Sequence, residues 1–293
     1  MLFPASNLPN RTPSCSVYPS TGEIQPMKKR TIFTAAILTA SLANAQMVDN
    51  REKRLTCENN NSNSDRAHSC TVTEQSFAAT GRITVDGREN GGVSVKGWLQ
   101  NTVLVRAKVE TWAESNAVAQ GMISQVNVST AGGQIMASGP ANANETGWSV
   151  SYEIFVPQTT DLNLTTHNGG VSISDVRGRI AFEAVNGGVT LRRIAGDVSG
   201  HTENGGLNVE LAGNTWEGQQ LNARTENGGV TISMPQYYSA RIETETVNGR
   251  VNSDFPITVS GEISKSRLAF NAGSGGPLIR VTTTNGGVRL KKI

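Results

Sequence analysis

Between Asp161 and Val251 apolar and polar positions alternate in short runs, and the alternation restarts at each Asn-Gly-Gly or Asn-Gly-Arg. The triplet begins at Asn168, Asn186, Asn204, Asn227 and Asn248 and returns at Asn285, at intervals of 18, 18, 23, 21 and 37 residues. Aligned on the Asn, the position six before holds Leu162, Ile180, Val198, Leu221, Ile242 and Ile279. Four before stand Leu164, Phe182, Gly200, Ala223, Thr244 and Val281, and two before stand Thr166, Ala184, Thr202, Thr225, Thr246 and Thr283. Three after come Val171, Val189, Leu207, Val230, Val251 and Val288; five after come Ile173, Leu191, Val209, Ile232, Ser253 and Leu290. Apolar or small side chains at every second residue on both sides of a turn are the period-2 signature of half-buried strands. Each unit predicts strand, Asn-Gly-Gly corner, strand, and a second corner at Gly178, Gly196 or Gly213. Asn-Gly is expected to supply the positive φ angles of the first corner.

A period near 20 residues marks a solenoid, whose units bury their faces only on one another. Successive hairpins would give an antiparallel meander; continuous winding would give a β-helix with parallel stacking. Winding is preferred, because equivalent residues match in kind and would stack into Ile/Val/Leu columns about 4.8 Å apart. The predicted fold is therefore all-β, a single-stranded β-helix or solenoid with coils of 18–23 residues over 158–293. The Asn and Gly residues are assigned to corners and an Asn ladder rather than to chemistry.

The section 77–157 reads as an irregular β cap. It holds an early copy of the triplet at Asn90, strands at Val103–Trp112, Gln125–Val128 and Trp148–Val156, and one short helix within Glu114–Gln125. A solenoid needs its exposed end covered, and this section is placed to do it. At the other end, Phe255 to Gly276 breaks the period before Leu278 restores it.

The leading residues separate from the fold. Residues 1–26 are proline-rich and aperiodic, and are expected to be disordered or an extension upstream of the true initiator, Met27. Lys28-Lys29-Arg30, the apolar run from Thr31 to Leu42 and Ala43-Asn44-Ala45 make a secretory signal over 27–45, with cleavage before Gln46. The apolar run is too short to span a bilayer, and the residue directly after the cleavage point is Gln46, not a Cys that could carry a lipid. Residues 46–76 form a polar segment with Cys57 and Cys70, expected as a disulfide contributing on the order of 3 kcal/mol. A metal site using His68 is the alternative, but it lacks ligands.

Charge removes one class of function. The leader holds Arg11, Lys28, Lys29 and Arg30 against Glu23, so 26 basic and 24 acidic residues become 22 and 23 in the exported chain. A balance near zero leaves no electrostatic footprint for nucleic acid.

The motif order is specific. Trp148-Ser149-Val150-Ser151-Tyr152-Glu153-Ile154-Phe155-Val156-Pro157 precedes the repeated Thr-x-Asn-Gly-Gly-Val coils. Asn248-Gly249-Arg250-Val251-Asn252-Ser253-Asp254-Phe255-Pro256 and Gly275-Gly276-Pro277-Leu278-Ile279-Arg280-Val281 follow, then a last Asn285-Gly286-Gly287. Across residues 77–293 this resembles the bacterial "putative adhesin" family, β-solenoid domains of unknown function. The resemblance implies an exported bacterial repeat protein and brings no catalytic residues and no cofactor.

Candidate chemistry lies on the outward positions. Stacked coils would gather Glu183, His201, Glu203, Arg224 and Glu226 into one polar patch. Carboxylates beside a His can perform acid–base chemistry on polysaccharide or hold a cation; the plainer reading is a solvated face. No Asp recurs after the Gly pair, as calcium-binding repeats require, and Gly-x-Ser-x-Gly is absent. The longer intervals carry Trp216 and Tyr237-Tyr238, aromatics that could stack on a sugar or pack locally over a coil edge. The expected function is a non-enzymatic interaction module of the cell envelope, taking a surface glycan or envelope protein, with no cofactor or metal. The alternatives are a β-helical enzyme acting on polysaccharide and a purely structural envelope component.

Overall fold

The computed structural model describes residues 55–57, 66–143, 145–255 and 264–293. The leader, the proposed signal peptide and most of the polar segment before residue 66 lie outside the described residues. The amino-terminal section holds β1 (Ala67–Ala78), β2 (Arg82–Asp86), β3 (Val93–Trp98), β4 (Thr102–Ala113), the helix α1 (Asn116–Ile123), β5 (Asn127–Ser129), β6 (Gln134–Ser138) and β7 (Gly147–Pro157). The coils follow as β8 (Asp161–Thr166), β9 (Val171–Ser174), β10 (Arg177–Asn186), β11 (Val189–Arg192), β12 (Ala195–Asn204) and β13 (Leu207–Glu210). The chain continues through β14 (Gln220–Asn227), β15 (Val230–Met234), β16 (Ala240–Asn248) and β17 (Val251–Ser253). It ends with β18 (Arg267–Ala272), β19 (Leu278–Asn285) and β20 (Val288–Lys292).

These strands make two ten-stranded mixed sheets, in the orders β1-β4-β7-β3-β9-β11-β13-β15-β20-β17 and β18-β16-β19-β14-β12-β10-β8-β2-β6-β5. The corner at each Asn carries the chain from the second sheet to the first. Equivalent strands pair in parallel, Ile180 with Leu162 on one side and Val198 on the other, and Val189 with Val171 and Leu207. Parallel pairing rules out the meander for these coils. The inward columns Leu162-Ile180-Val198-Leu221-Ile279 and Val171-Val189-Leu207-Val230-Val288 are buried, so the core is the space between the two sheets.

The architecture departs from a single-stranded helix wound in chain order. Antiparallel pairs enter at both ends, β1 with β4, β4 with β7, β5 with β6 and β16 with β18. The last coil is also out of sequence: Leu221 pairs with Ile279, and Ile279 then pairs with Ile242. β19 and β20 therefore sit between the coils of Asn227 and Asn248. The physical reason is legible in the side chains, since Val281 and Leu290 are fully apolar and buried while the Asn248 coil offers Thr244 and a half-exposed Ser253.

The Asn-Gly corner does not rest on positive φ, contrary to expectation. Gly169, Gly187, Gly205, Gly228 and Gly249 are not among the residues with positive φ. Glycine is needed there because coil backbones touch: a Cβ on Gly187 would lie 2.1 Å from the carbonyl oxygen of Gly169. Positive φ belongs to the opposite corner, where Gly196 has φ 112°. The Asn side chains do form a ladder, and behind it runs a second one. Thr166, Thr202, Thr225, Thr283 and Thr246 donate their buried hydroxyls at 2.7–2.8 Å to the carbonyls of Gly91, Gly187, Gly205, Gly228 and Gly286 in the adjoining coil. Carbonyls that the tight corner hides from water are thereby satisfied.

The helix lies within the expected span, capped by Ser115, whose hydroxyl accepts from the Val118 N–H at 3.4 Å. No helix among the described residues is long and apolar enough to cross a membrane.

Candidate functional site

The outward face of the second sheet is built by the alternation that fills the core. In register across it run Thr165, Glu183, His201, Arg224, Thr282 and Glu245. The structure thus brings Glu183, His201 and Arg224 onto neighbouring strands. Glu203 and Glu226 stand beside them on the same two strands, between the paired Thr and Asn positions. His201 Nε2 lies 3.9 Å from Glu183 Oε1, and Arg224 reaches Glu226 at 3.2 Å. Glu183 and His201 remain open to water, with side-chain exposures of 57% and 36%. Among the described residues no group of three or more His, Cys, Asp or Glu is placed to hold a metal ion.

At one margin of this face a groove of about 420 Å³ runs past Arg82, Asp161, Asn163, Arg179, Asp197 and Ser199. Asp161 organises it, accepting from the Arg179 backbone N–H at 2.9 Å and from its Nε and Nη2 at 3.0 and 2.7 Å. The backbone hydrogen bond from Arg179 is the main reason the Asp161 carboxyl is held below its ordinary pKa; partial burial opposes it and the guanidinium adds to it.

The two insertions meet. Thr215 pairs with Ser239, the Ser239 N–H donates to Asn214 O at 2.7 Å, and the Thr215 hydroxyl donates to Ser239 O at 2.8 Å. Trp216 and Tyr238 are 3% and 2% exposed, in the core, so for these two the local-packing reading is the one the structure supports. The Trp216 indole donates to Gly196 O at 3.1 Å. Burial, and Glu217 nearby, push the Tyr238 phenol above its ordinary range. Tyr237 stands 80% exposed at the tip of its turn. Cys57 and Cys70 are joined by a disulfide, with Cα atoms 5.8 Å apart.

Two features escaped the sequence reading. One is a charged cluster across β1, β4 and β7, where Arg106 bonds Glu74 at 2.6 Å, pairs with Glu153 and lies 5.8 Å from the Phe155 ring. The other is the corner pair Asp175 and Arg193, both at positive φ, joined by hydrogen bonds of 2.7 and 2.8 Å. Their 18-residue separation, opposite charges and neighbouring Gly were the available signal.

The model of the Toastrack DUF4097 family matches residues 44–291. The chain belongs to this family. Similar solved structures include a "putative cell adhesion protein" from Clostridium sporogenes, 13% identical, covering 76% of this chain and 100% of its own at a TM-score of 0.36. A "putative adhesin" from Bacteroides fragilis is 10% identical, covering 76% of this chain and 97% of its own at a TM-score of 0.30. One from Parabacteroides distasonis is 10% identical, covering 75% and 97% at a TM-score of 0.26. No curated protein matches the chain. The family model is thus what places this Toastrack chain; the remote structures add only their names.

Proposed function

We propose that this Toastrack domain is an exported, non-enzymatic, adhesin-like interaction module of the bacterial envelope, directed there by a signal over 27–45. Its coils would serve as a rigid platform of 18–23-residue turns, and its ligand would be a surface glycan or an envelope protein. The observation that carries the reading is the outward row Glu183, His201 and Arg224, flanked by Glu203 and Glu226. A flat array of mixed polar groups on a stiff sheet suits recognition of a repetitive polymer. Catalysis is disfavoured on this face because its carboxylate–imidazole pair, Glu183 and His201, is 3.9 Å apart and open to solvent, whereas acid–base sites exclude water around the reacting groups.

The experiment is an array of glycans and extracted envelope proteins, run beside a polysaccharide-cleavage assay on the purified chain. Binding without turnover supports the module. Turnover abolished by Glu203→Gln overturns it in favour of the enzyme, and absence of both binding and turnover leaves the structural role.

A further inference from the structure

The Asn ladder has a direction, and one end of it opens on a cavity. Asn248 donates to Asn285, Asn285 to Asn227, Asn227 to Asn204, and so on through Asn186 and Asn168, each through Nδ2 to Oδ1. Asn168 completes the run by donating to Asn90 at 3.1 Å. Asn90 is therefore the terminal acceptor, and among the described residues nothing accepts a hydrogen bond from its Nδ2. An amide with its oxygen used and its nitrogen unspent is a donor available to a ligand.

Beyond Asn90 the next coil is β6 and β7, which pair with β2 and β3. Its connection, residues 139–146, lacks the Asn-Gly-Gly corner, so the ladder has no further rung. Between that connection and the Asn90 corner lies a cavity of about 270 Å³, lined by Arg88, Glu89, Asn90, Ser138, Asn142 and Trp148. Its aromatic wall is held in place. The Trp148 indole donates to Pro140 O at 2.8 Å, its backbone N–H donates to Asn142 Oδ1 at 3.2 Å, and Gly139 lies so close that a Cβ would meet the ring at 2.8 Å. Arg88 is fixed as well, at φ 55°, with its backbone N–H on Asp86 Oδ1 at 2.9 Å and its guanidinium 3.4 Å from the same carboxylate.

An anchored indole beside amide, hydroxyl, carboxylate and guanidinium groups is the composition that recognises a sugar, apolar on its faces and hydroxylated around its rim. The volume falls just under the roughly 300–1,000 Å³ of pockets that hold larger ligands, which suits a single ring. Arg88 and Glu89 oppose each other in sign, which favours a neutral sugar over a strongly anionic one. We infer that this cavity is a carbohydrate subsite, taking one pyranose of a neutral glycan against Trp148 with hydroxyls paired to Asn90, Glu89 and Asn142. It deepens the interaction-module reading and rests on it.

The test is a glycan array followed by titration of the best hit, on the full chain and on variants. Asn90→Asp keeps an oxygen for Asn168 and exchanges the Nδ2 donor for a charged acceptor; Glu89→Ala removes an exposed carboxylate. Each is expected to weaken the hit by about tenfold, the worth of one good hydrogen bond, with an unchanged melting temperature. Tyr237→Ala and Arg224→Gln probe the outer face of the module separately, and Lys292→Ala, exposed on β20 of the other sheet, should leave binding intact. If Asn90→Asp lowers the melting temperature, Glu89→Ala decides alone. Binding kept in the cavity variants but lost in the outer-face variants overturns the subsite and leaves the module standing. A chain that binds no glycan overturns the subsite too, and the module then stands or falls on capture of an envelope protein.

Discussion

Asn285 Nδ2 donates to Asn227 Oδ1 at 2.7 Å although 58 residues of chain separate them, while Asn248, closer in sequence, is reached only through Asn285. The last coil is thus an internal layer of the stack. Removing residues 264–293 would strip the partner from β14 and β15 and from β16 and β17 together. The truncated chain is expected to lose cooperative melting rather than shed a frayed end, as followed by circular dichroism. A truncated protein that still melts in one sharp transition would show that the coil is peripheral.

The two glycines of one corner should answer differently to the same substitution. On Gly205 a Cβ would lie 2.2 Å from Gly187 O, backbone that cannot move aside; on Gly206 the nearest atom is 3.5 Å away. Gly205→Ala is expected to cost about 3 kcal/mol or more and Gly206→Ala less than about 1 kcal/mol, by urea denaturation. Equal effects would mean that stacking distance does not explain the triplet.

Ala184 is the one member of the buried Thr column between Asn168 and Asn285 that lacks a hydroxyl, and among the described residues no side-chain hydroxyl is placed on Gly169 O as the flanking threonines are on theirs. Ala184→Thr should complete the row and raise stability by about 1 kcal/mol, the net worth of a buried hydrogen bond. A fall in melting temperature would show instead that the site has no room for two more heavy atoms.

Tyr152 presents the reverse case. It is 2% exposed, and its hydroxyl finds no partner among the described residues. Tyr152→Phe keeps the ring and removes the orphaned group, so it should be neutral or stabilising by up to about 1 kcal/mol. A loss of more than that amount in denaturant would reveal a hydrogen bond made by Tyr152.

Much of this was legible because an 18-residue register repeats each requirement several times. The Asn positions, the Ile/Val/Leu columns and the parallel stacking follow from matching residue kinds at matching offsets. The order of coils does not follow from chain order, although Ser253 and Thr244 against Leu290 and Val281 already mark which coil tolerates water at the end of the stack. β1 was hidden because its residues are polar and only half-buried, with pairing to β4 rather than burial holding it. Trp216 and Tyr238 leave both exposed stacking and local packing open in the sequence because they sit in insertions, which can fold inward as readily as outward. The cavity beside Asn90 depends on which amide end is left over, a property of the assembled ladder that no single repeat displays.

The corner at Asp161 should make stability fall in acid. Its carboxyl accepts from the Arg179 backbone and side chain, with Arg82 3.9 Å away, and its pKa in the folded chain lies below the unfolded value. A depressed carboxyl contributes stability that is fully present above the unfolded pKa, about 4, and is lost as pH falls through the folded value. Melting temperature should therefore decline below about pH 4 more steeply in the native chain than in Asp161→Asn, which keeps an oxygen for the Arg179 N–H but cannot titrate. Identical acid profiles would show that Asp161 carries no pH-dependent stability, and that the groove it organises is held by Arg179 and its neighbours without the charge.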